Sequence, residues 1–355
     1  MEPIMPNLPT ELADPDYRFF ELAGDHYACG YAVGAVTDLR QLPAPENPPR
    51  ALRFARACAD VVRDIYPPLL DEYRGYADAQ GRPWEDVLPH FSLHHPSGEA
   101  GGCSSLAWRS ADGHVMVARN YDFLSSQRSR HLLYAGPAGA LATLGTNASL
   151  IGGRYDGVNQ AGLFAALHLV QAEMPARLSP GLPFHLVPRI LLETCTTVRQ
   201  AVALLLDLPV LHAFNYLLAD AGGFAVVEAH PLAKRVREGD SWLAVTNHFQ
   251  HPDMQRLHGR RTHAHSRRRA EKLRELALRP GEPAWSWAQQ VLRDHDTPLC
   301  HHDRIMATLW SLTVDITARR IAYCQGAPCQ GNFVELAWPA NEPPATRVQR
   351  GWPAA

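Results

Sequence analysis

Apolar residues recur at helical spacing between Arg50 and Gln80. Leu52, Ala55, Ala59, Val62 and Ile65 share one face, and Leu69, Leu70, Tyr73 and Tyr76 resume it after Pro67-Pro68. Upstream, Phe19 to Val36 holds Gly24, Gly30 and Gly34 among aromatic residues. Residues 1–15 are proline-rich and acidic and read as a mobile arm, and 41–49 form a proline break. The first hundred residues are therefore predicted to be mainly helical. After Cys103 the period shortens to two. Strands are predicted at 104–109, 114–119, 149–153, 163–169, 214–219, 224–229 and 242–246, with a last hairpin of 307–316 and 320–324. Helices are predicted over 188–206, where Ile190, Leu191, Cys195, Val198, Val202 and Leu205 keep their spacing, over 264–278 as a basic amphipathic segment, and near 285–293. Strand pairs alternating with helix pairs, without a phosphate-binding glycine loop, indicate α/β or α+β layering rather than a βαβ dinucleotide fold.

The candidate chemistry lies where the pattern changes, at Gly101-Gly102-Cys103-Ser104-Ser105. The turn Ser110-Ala111-Asp112-Gly113 separates the two strand-like runs that follow, so they form a hairpin. A loop centred on Ala111-Asp112 sets Cys103 opposite Asn120, and one centred on Asp112-Gly113 sets it opposite Asp122. Either register brings a thiol beside Arg119, Asn120 and Asp122. A cation lowers a thiol pKa and a carboxylate orients a neighbouring donor, which is the environment of a reactive cysteine rather than a core one.

Composition narrows the alternatives. The 355 residues are 46% hydrophobic and 20% charged, enough for a large core. A formal net charge of −2 excludes a broad nucleic-acid surface, because phosphate binding needs clustered excess cation. Without an eighteen-residue apolar run or an N-terminal signal pattern, no membrane association is expected and a cytoplasmic location is. Seven scattered cysteines lack any CxxC spacing and read as reduced thiols, Cys195 within an apolar helical pattern and Cys324 and Cys329 on either side of a Gly-Ala-Pro turn. The eighteen histidines include His94-His95, His263-x-His265 and His301-His302-Asp303 but no HExxH or HxHxD spacing, so they read as solvated or capping residues and no metal site is expected.

The spacing Cys103-x15-Arg119-Asn120-x-Asp122 resembles the start of the mature choloylglycine (bile salt) hydrolases and penicillin V acylases. The Gly-Cys-Ser-Ser context behind about a hundred residues is similar to the isopenicillin-N acyltransferase branch. Both are N-terminal-nucleophile hydrolases. Three other stretches agree: the glycine-patterned segment 24–34, Tyr155 to Leu163 (with Gln160 where the family has Glu), and Thr246-Asn247-His248-Phe249. The resemblance implies an α+β fold, a four-layer αββα sandwich of two antiparallel sheets. It divides the chain into a helical propeptide or α-chain, 1–102, retained after cleavage, and a catalytic β-chain, 103–355.

The chemistry of such a site is self-contained. The Cys103 thiol attacks the carbonyl of Gly102, shifting the acyl group from nitrogen to sulfur, and hydrolysis frees Cys103 as a new N-terminus. Its α-amine, with a reference pKa of ~7.7–8, then serves as general base beside its own thiol. Asp122 would hold that amine, Arg119 would favour the thiolate, and Asn247 would donate to the oxyanion. Asn120, His168 and Arg267 are further expected pocket or secondary residues, Arg267 against the plainer reading of a solvated basic helix face. The expected reaction is hydrolysis of a linear amide, or transfer of its acyl group, through a Cys103 thioester. It needs no metal or organic cofactor, with acyl-coenzyme A admitted as a substrate. The expected partners are a small-molecule amide or acyl donor and the chain's own two cleavage products, with further oligomerisation open. The competing readings are a His-dependent metallohydrolase and a non-catalytic small-molecule-binding domain with an inert cysteine.

Overall fold

The computed structural model describes residues 14–38, 48–92, 102–148, 150–279, 281–282, 284–297, 299–341 and 343–353. The predicted arm up to residue 13, most of the proline break and His94-His95 lie outside these residues.

The N-terminal part contributes strand β1 (Asp16–Leu22) and helices α1 (His26–Gly34), α2 (Pro48–Ile65), α3 (Pro68–Ala79) and the one-turn α4 (Trp84–Val87). Pro48-Pro49, expected within a break, open α2, where a missing N–H costs nothing. The glycine pattern of the N-terminal segment has a packing cause. A Cβ on Gly30 would lie 1.8 Å from the carbonyl oxygen of Glu72, and one on Gly75 would lie 2.0 Å from that of Tyr27, so α1 and α3 cross with backbones almost touching.

Beyond residue 102 come β2 (Ser104–Arg109), β3 (Val115–Leu124), β4 (Ser129–Ala135), β5 (Thr143–Asn147), β6 (Asp156–Asn159) and β7 (Phe164–Leu169). Helices α5 (Leu186–Thr194) and α6 (Val198–Asp207) precede β8 (Phe214–Asp220), β9 (Gly223–His230), β10 (Ala233–Glu238) and β11 (Trp242–Val245). The chain closes with α7 (Pro252–Gln255), α8 (Ala264–Ala277), α9 (Ala284–Leu292), β12 (Met306–Asp315), β13 (Arg320–Gln325), β14 (Phe333–Leu336) and β15 (Arg347–Arg350).

Two expectations are corrected. The helix over 188–206 is two helices: Cys195 is extended, its carbonyl and that of Leu192 accept both amide hydrogens of Asn159, and Thr197 caps α6 by accepting from Gln200 N. The strand expected over 149–153 is not one where it is described: residues 150–153 form a turn, closed by the Asn147 side chain on Leu150 with Gly152 at φ +68°, and residue 149 lies outside the described residues.

The strands form a nine-stranded sheet, in the order β10-β9-β8-β7-β6-β5-β4-β1-β15, and a six-stranded sheet, β11-β2-β3-β12-β13-β14. Pairing is antiparallel except between β1 and β4, which run parallel. The sheets pack face to face over the main core. Helices α8 and α9 cover the outer face of the smaller sheet, α5 and α6 that of the larger. This is the expected four-layer αββα arrangement. Period-two alternation assigns the faces: Val115, Val117 and Tyr121 of β3 enter the space between the sheets, while Met116 and Ala118 meet the α8/α9 layer.

The N-terminal segment is tied to the rest through buried charge. Arg189 of α5 donates to Glu72 of α3 at 2.9 Å and to Glu193 at 2.5 Å, and His26 of α1 lies 3.1 Å from Glu193. Burial works against ionising Glu193, but Arg189 and His26 overcome it and bring its carboxyl down to about 2.

Candidate active site

Hairpin β2–β3 pairs Ser104 with Asn120 and Ser105 with Arg119. Both expected registers miss by one residue. Ser110 N bonds to His114 O at 2.9 Å, closing a three-residue loop centred on Asp112 with Gly113 at φ +87°. Gly102, not Cys103, therefore lies opposite Asp122, and Gly102 N donates to Asp122 O at 3.0 Å.

Cys103 is only 2% exposed and packs in the core that holds Tyr121 and Tyr155. Burial pushes its thiol pKa up; Arg119 pulls it down, Asp122 pushes it up again and Arg269 pulls it down. Burial, the largest of these effects, disfavours the thiolate.

Arg119 is fully buried between the sheets. It donates to Asp156 Oδ2 at 2.9 Å, to Leu167 O at 2.7 Å and to His168 Nε2 at 2.8 Å. Its hydrogen bonds go elsewhere, so it acts on Cys103 through its field. His168, expected in an acyl pocket, is instead a support for Arg119 and lies 2.7 Å from Ser105 Oγ. Burial and then the Arg119 charge hold its pKa well below the usual imidazole value. Asn120 also leaves the expected pocket. Alternation turns it toward α9, where its amide donates to Leu292 O and Leu299 O at 2.9 and 2.6 Å and its oxygen accepts from Ser311 at 2.6 Å.

Asp122 is fully buried. Its Oδ1 accepts from Thr308 Oγ1 at 2.6 Å, while its Oδ2 has no hydrogen-bond partner among the described residues and lies 4.0 Å from His301 Nε2. Burial raises its carboxyl to about 7, against the pull of Arg269, Thr308 and Arg119. A bulge in β12 between Thr308 and Trp310 aims the Thr308 hydroxyl at it. The unpartnered oxygen sits against residue 102: a Cβ there would lie 3.1 Å from Oδ2 and from the Asp122 Cβ, so only glycine fits without displacing the carboxylate.

The arginine that meets the Gly102-Cys103 bond is Arg269, not Arg267. Arg269 Nη1 donates to Gly102 O at 2.6 Å, to Cys103 O at 2.7 Å and to Ser104 Oγ at 2.7 Å, and Nη2 donates to Asn247 Oδ1 at 2.8 Å. Arg267 is exposed and bonds to Thr262 O, as the solvated-face reading has it. The distinction was available in the helical period, since the buried face of α8 is Ser266, Arg269, Leu273 and Ala277. Ser266 clamps the strap after β11 to this helix: its Oγ accepts from Asn247 N at 2.7 Å and donates to Thr246 Oγ1 at 2.9 Å. Asn247 Nδ2 donates one hydrogen to Leu169 O at 2.8 Å, leaving the other for a ligand. Thr308 and Ser266 carried no sequence signal, because their partners lie on other elements.

A cavity of about 530 Å³ opens here, with Gly102, Asn247 and Arg269 in its wall and Arg260, Arg261, His263, His265 and His301 around it against one acid, Asp303. Residue 102, not Cys103, lines it. Among the described residues, one group of three donors could hold a metal ion, His295, His302 and Cys329, and none of the three lines this cavity.

The profile of the acyl-coenzyme A:6-aminopenicillanic acid acyl-transferase family matches residues 108–330. The chain belongs to this family of acyl-transferring enzymes. No curated protein matches the sequence. Similar solved structures include penicillin V acylase from Agrobacterium tumefaciens, at 19% identity over 69% of this chain and 90% of that one, TM-score 0.46. A conjugated bile acid hydrolase from Clostridium perfringens matches at 12% identity over 70% of this chain and 97% of that one, TM-score 0.48. The Caenorhabditis elegans ortholog of N-acylethanolamine-hydrolyzing acid amidase matches at 14% identity over 60% and 93%, TM-score 0.43.

Proposed function

We propose that the intact chain is the precursor of a cysteine amidohydrolase or acyltransferase that cuts itself between Gly102 and Cys103. The observation that carries the reading is the scissile carbonyl itself: it points at a buried guanidinium, beside a buried carboxylate with one oxygen unpartnered, at the floor of a cavity that the thiol does not reach. The Cys103 sulfur adds to the Gly102 carbonyl carbon and its proton passes to the departing Cys103 nitrogen. Arg269 meets the charge on the oxygen. The Gly102–Cys103 C–N bond breaks to leave a thioester, and water hydrolyses it to a Gly102 carboxylate and a free Cys103 thiol and α-amine. Departure of residue 102 opens the cavity to the thiol and brings an amine to the empty side of Asp122.

In turnover, that amine takes the thiol proton, the sulfur attacks the substrate amide or thioester, the second Asn247 hydrogen serves the oxyanion, and the substrate's C–N or C–S bond breaks as its amine or thiol leaves with the proton from the α-amine. Arg119 holds the field between the sheets. Water or an amine then takes the acyl group from Cys103. This chemistry requires no metal or organic cofactor, and acyl-coenzyme A is admitted as a donor. The cationic wall favours a small-molecule substrate with an acid group on the part that enters the cavity, and neither nucleic acid nor a membrane is a partner in this reading. Segments 1–102 and 103–355 stay associated through the parallel β1–β4 pairing and the Glu72–Arg189 and His26–Glu193 pairs. Seven free cysteines fit a reducing compartment such as the cytoplasm; among the described residues, no helix is long and apolar enough to cross a membrane.

Intact mass spectrometry tests this. Wild type is expected as two chains, the larger beginning at Cys103, and Cys103→Ala as one inactive chain. An uncut wild type that is active and loses activity to a chelator overturns the reading in favour of a metallohydrolase. An uncut, inactive protein whose Cys103 resists alkylation overturns it in favour of a binding domain.

A further inference from the structure

A second cluster of reactive side chains lies outside the cavity, where the loop after α9 meets the turn after β13. We propose that His295, His302, Cys329 and Cys300 form a structural zinc site that braces one wall of the active-site cavity. The donor atoms of His295, His302 and Cys329 all lie within 4.8 Å of one another, and the Cys300 and Cys329 sulfurs are 3.5 Å apart. The two imidazoles meet edge to face, with ring centroids 5.0 Å apart. Among the described residues neither imidazole has a hydrogen-bond partner that would compete for a metal.

The geometry agrees with a tetrahedral ion. Zn–S bonds of ~2.3 Å and Zn–N bonds of ~2.0–2.1 Å place neighbouring donors roughly 3.3–3.8 Å apart. The observed sulfur separation is in that range and well beyond the ~2.05 Å of a disulfide. Closing His295, His302 and Cys329 around an ion asks for movements of about an ångström; Cys300 is buried and stands outside that group of three, reaching it through Cys329, so bringing it to the imidazoles asks for a larger shift. Two thiolates with two imidazoles select zinc over magnesium or calcium, whose preferred ligands are oxygens. A set of four protein donors leaves no open position, so the site holds structure rather than activating water.

Its position gives it a purpose. Three donors come from residues 295–302 and the fourth from the turn that follows β13. The same stretch continues into His301, Asp303 and Met306 of the cavity wall. The His301 backbone N–H donates to Thr308 Oγ1 at 2.9 Å, and that hydroxyl donates to Asp122. An ion here would pin the stretch to β13 at both ends of the His301 contact, fixing the cavity wall and the Thr308 hydroxyl that positions Asp122. None of the four donors belongs to the proposed catalytic set, so the proposal stands apart from the reaction.

The experiment uses the full-length protein, purified under reducing conditions and dialysed against zinc-free buffer after loading with zinc. Elemental analysis is expected to find about one zinc per chain, falling below about a tenth in His302→Ala and Cys329→Ser. Cobalt in place of zinc is expected to give intense tetrahedral d–d bands and a thiolate-to-cobalt charge-transfer band that Cys329→Ser weakens. Substoichiometric zinc in the reduced wild type, or cobalt bound without the thiolate band, overturns the proposal. So does a Cys300–Cys329 disulfide, seen as a mass lower by two hydrogens, in protein that still fails to take up zinc after reduction.

Discussion

Replacing Arg269 by Met removes the one cation among the described residues that touches the carbonyl of the proposed scissile bond, while keeping most of the side-chain volume. Four acceptors lose a donor: Gly102 O, Cys103 O, Ser104 Oγ and Asn247 Oδ1, at 2.6 to 2.8 Å. All four bonds exist in the uncut ground state, so their loss alone does not slow cleavage. The rate depends on the part that strengthens as charge develops on the Gly102 oxygen. A lost oxyanion donor costs ~3–4 kcal/mol of barrier, or roughly 10²–10³ in rate. Arg269→Lys keeps the charge but not the planar fork that spans several acceptors, and is expected to lose about tenfold. Arg267→Gln, two residues away on the exposed face, is the control and is expected to mature at the wild-type rate. The assay is a time course of intact mass on freshly translated protein, following the 103–355 chain. Melting of Cys103→Ala with and without Arg269→Met separates slow chemistry from misfolding. Maturation of Arg269→Met within about threefold of wild type refutes the assignment, as does an equal loss in Arg267→Gln.

Asp122 links the site to pH. Burial holds its carboxyl at about 7 in the uncut chain, against an unfolded value near 3.9. A raised acid contributes stability below the unfolded value that is lost as pH rises through the folded one, so the window is roughly pH 4 to 7. About three pH units are worth ~4 kcal/mol for this fully buried group. In a Cys103→Ala background, Asp122→Asn should therefore gain stability relative to Asp122 across that window and hold a constant lead above it. Urea midpoints whose difference does not change with pH would contradict this. Asn247→Ala should lower kcat by ~10²-fold with little change in KM, and a change in KM alone would make Asn247 a binding residue. Glu72→Gln leaves Arg189 with one of its two carboxylates in a fully buried position, a change of ~3–5 kcal/mol at most. It should let the 1–102 segment dissociate from the cut protein at lower urea than wild type, read by size-exclusion chromatography, and unchanged co-elution would remove the pair from the association.

Local chemistry was legible wherever neighbours in sequence are neighbours in space. The hairpin around Asp112, the strands flanking it and helix α8 follow from period and turn residues alone. The register did not, because a three-residue and a two-residue loop share the same Ser-Ala-Asp-Gly letters, and the choice between them moves Cys103 by one place. Strands β1 and β15 carry no local signal, because their partners lie far along the chain: β1 pairs in parallel with a strand more than a hundred residues away and antiparallel with β15 near the other end. Strands β4, β5, β6, β10 and β14 were also outside the predicted set, although β4 and β5 pair with each other locally.

The Cys103-x15-Arg119-Asn120-x-Asp122 spacing and the Thr246-Asn247-His248-Phe249 stretch carry the family, the layered α+β class and the candidate residues within the chain itself. How those residues are placed depends on packing between elements far apart in sequence. Alternation on β3 turned Asn120 to the helix layer and sent Arg119 between the sheets, where Asp156 and His168 hold it. A helix remote in sequence delivered Arg269 to the Gly102 carbonyl, and a bulge in β12 delivered Thr308 to Asp122. A side chain's identity is written in the chain, but the burial and opposing charges that set its proton affinity and its partner come from elements that meet only when the sheets and helices pack.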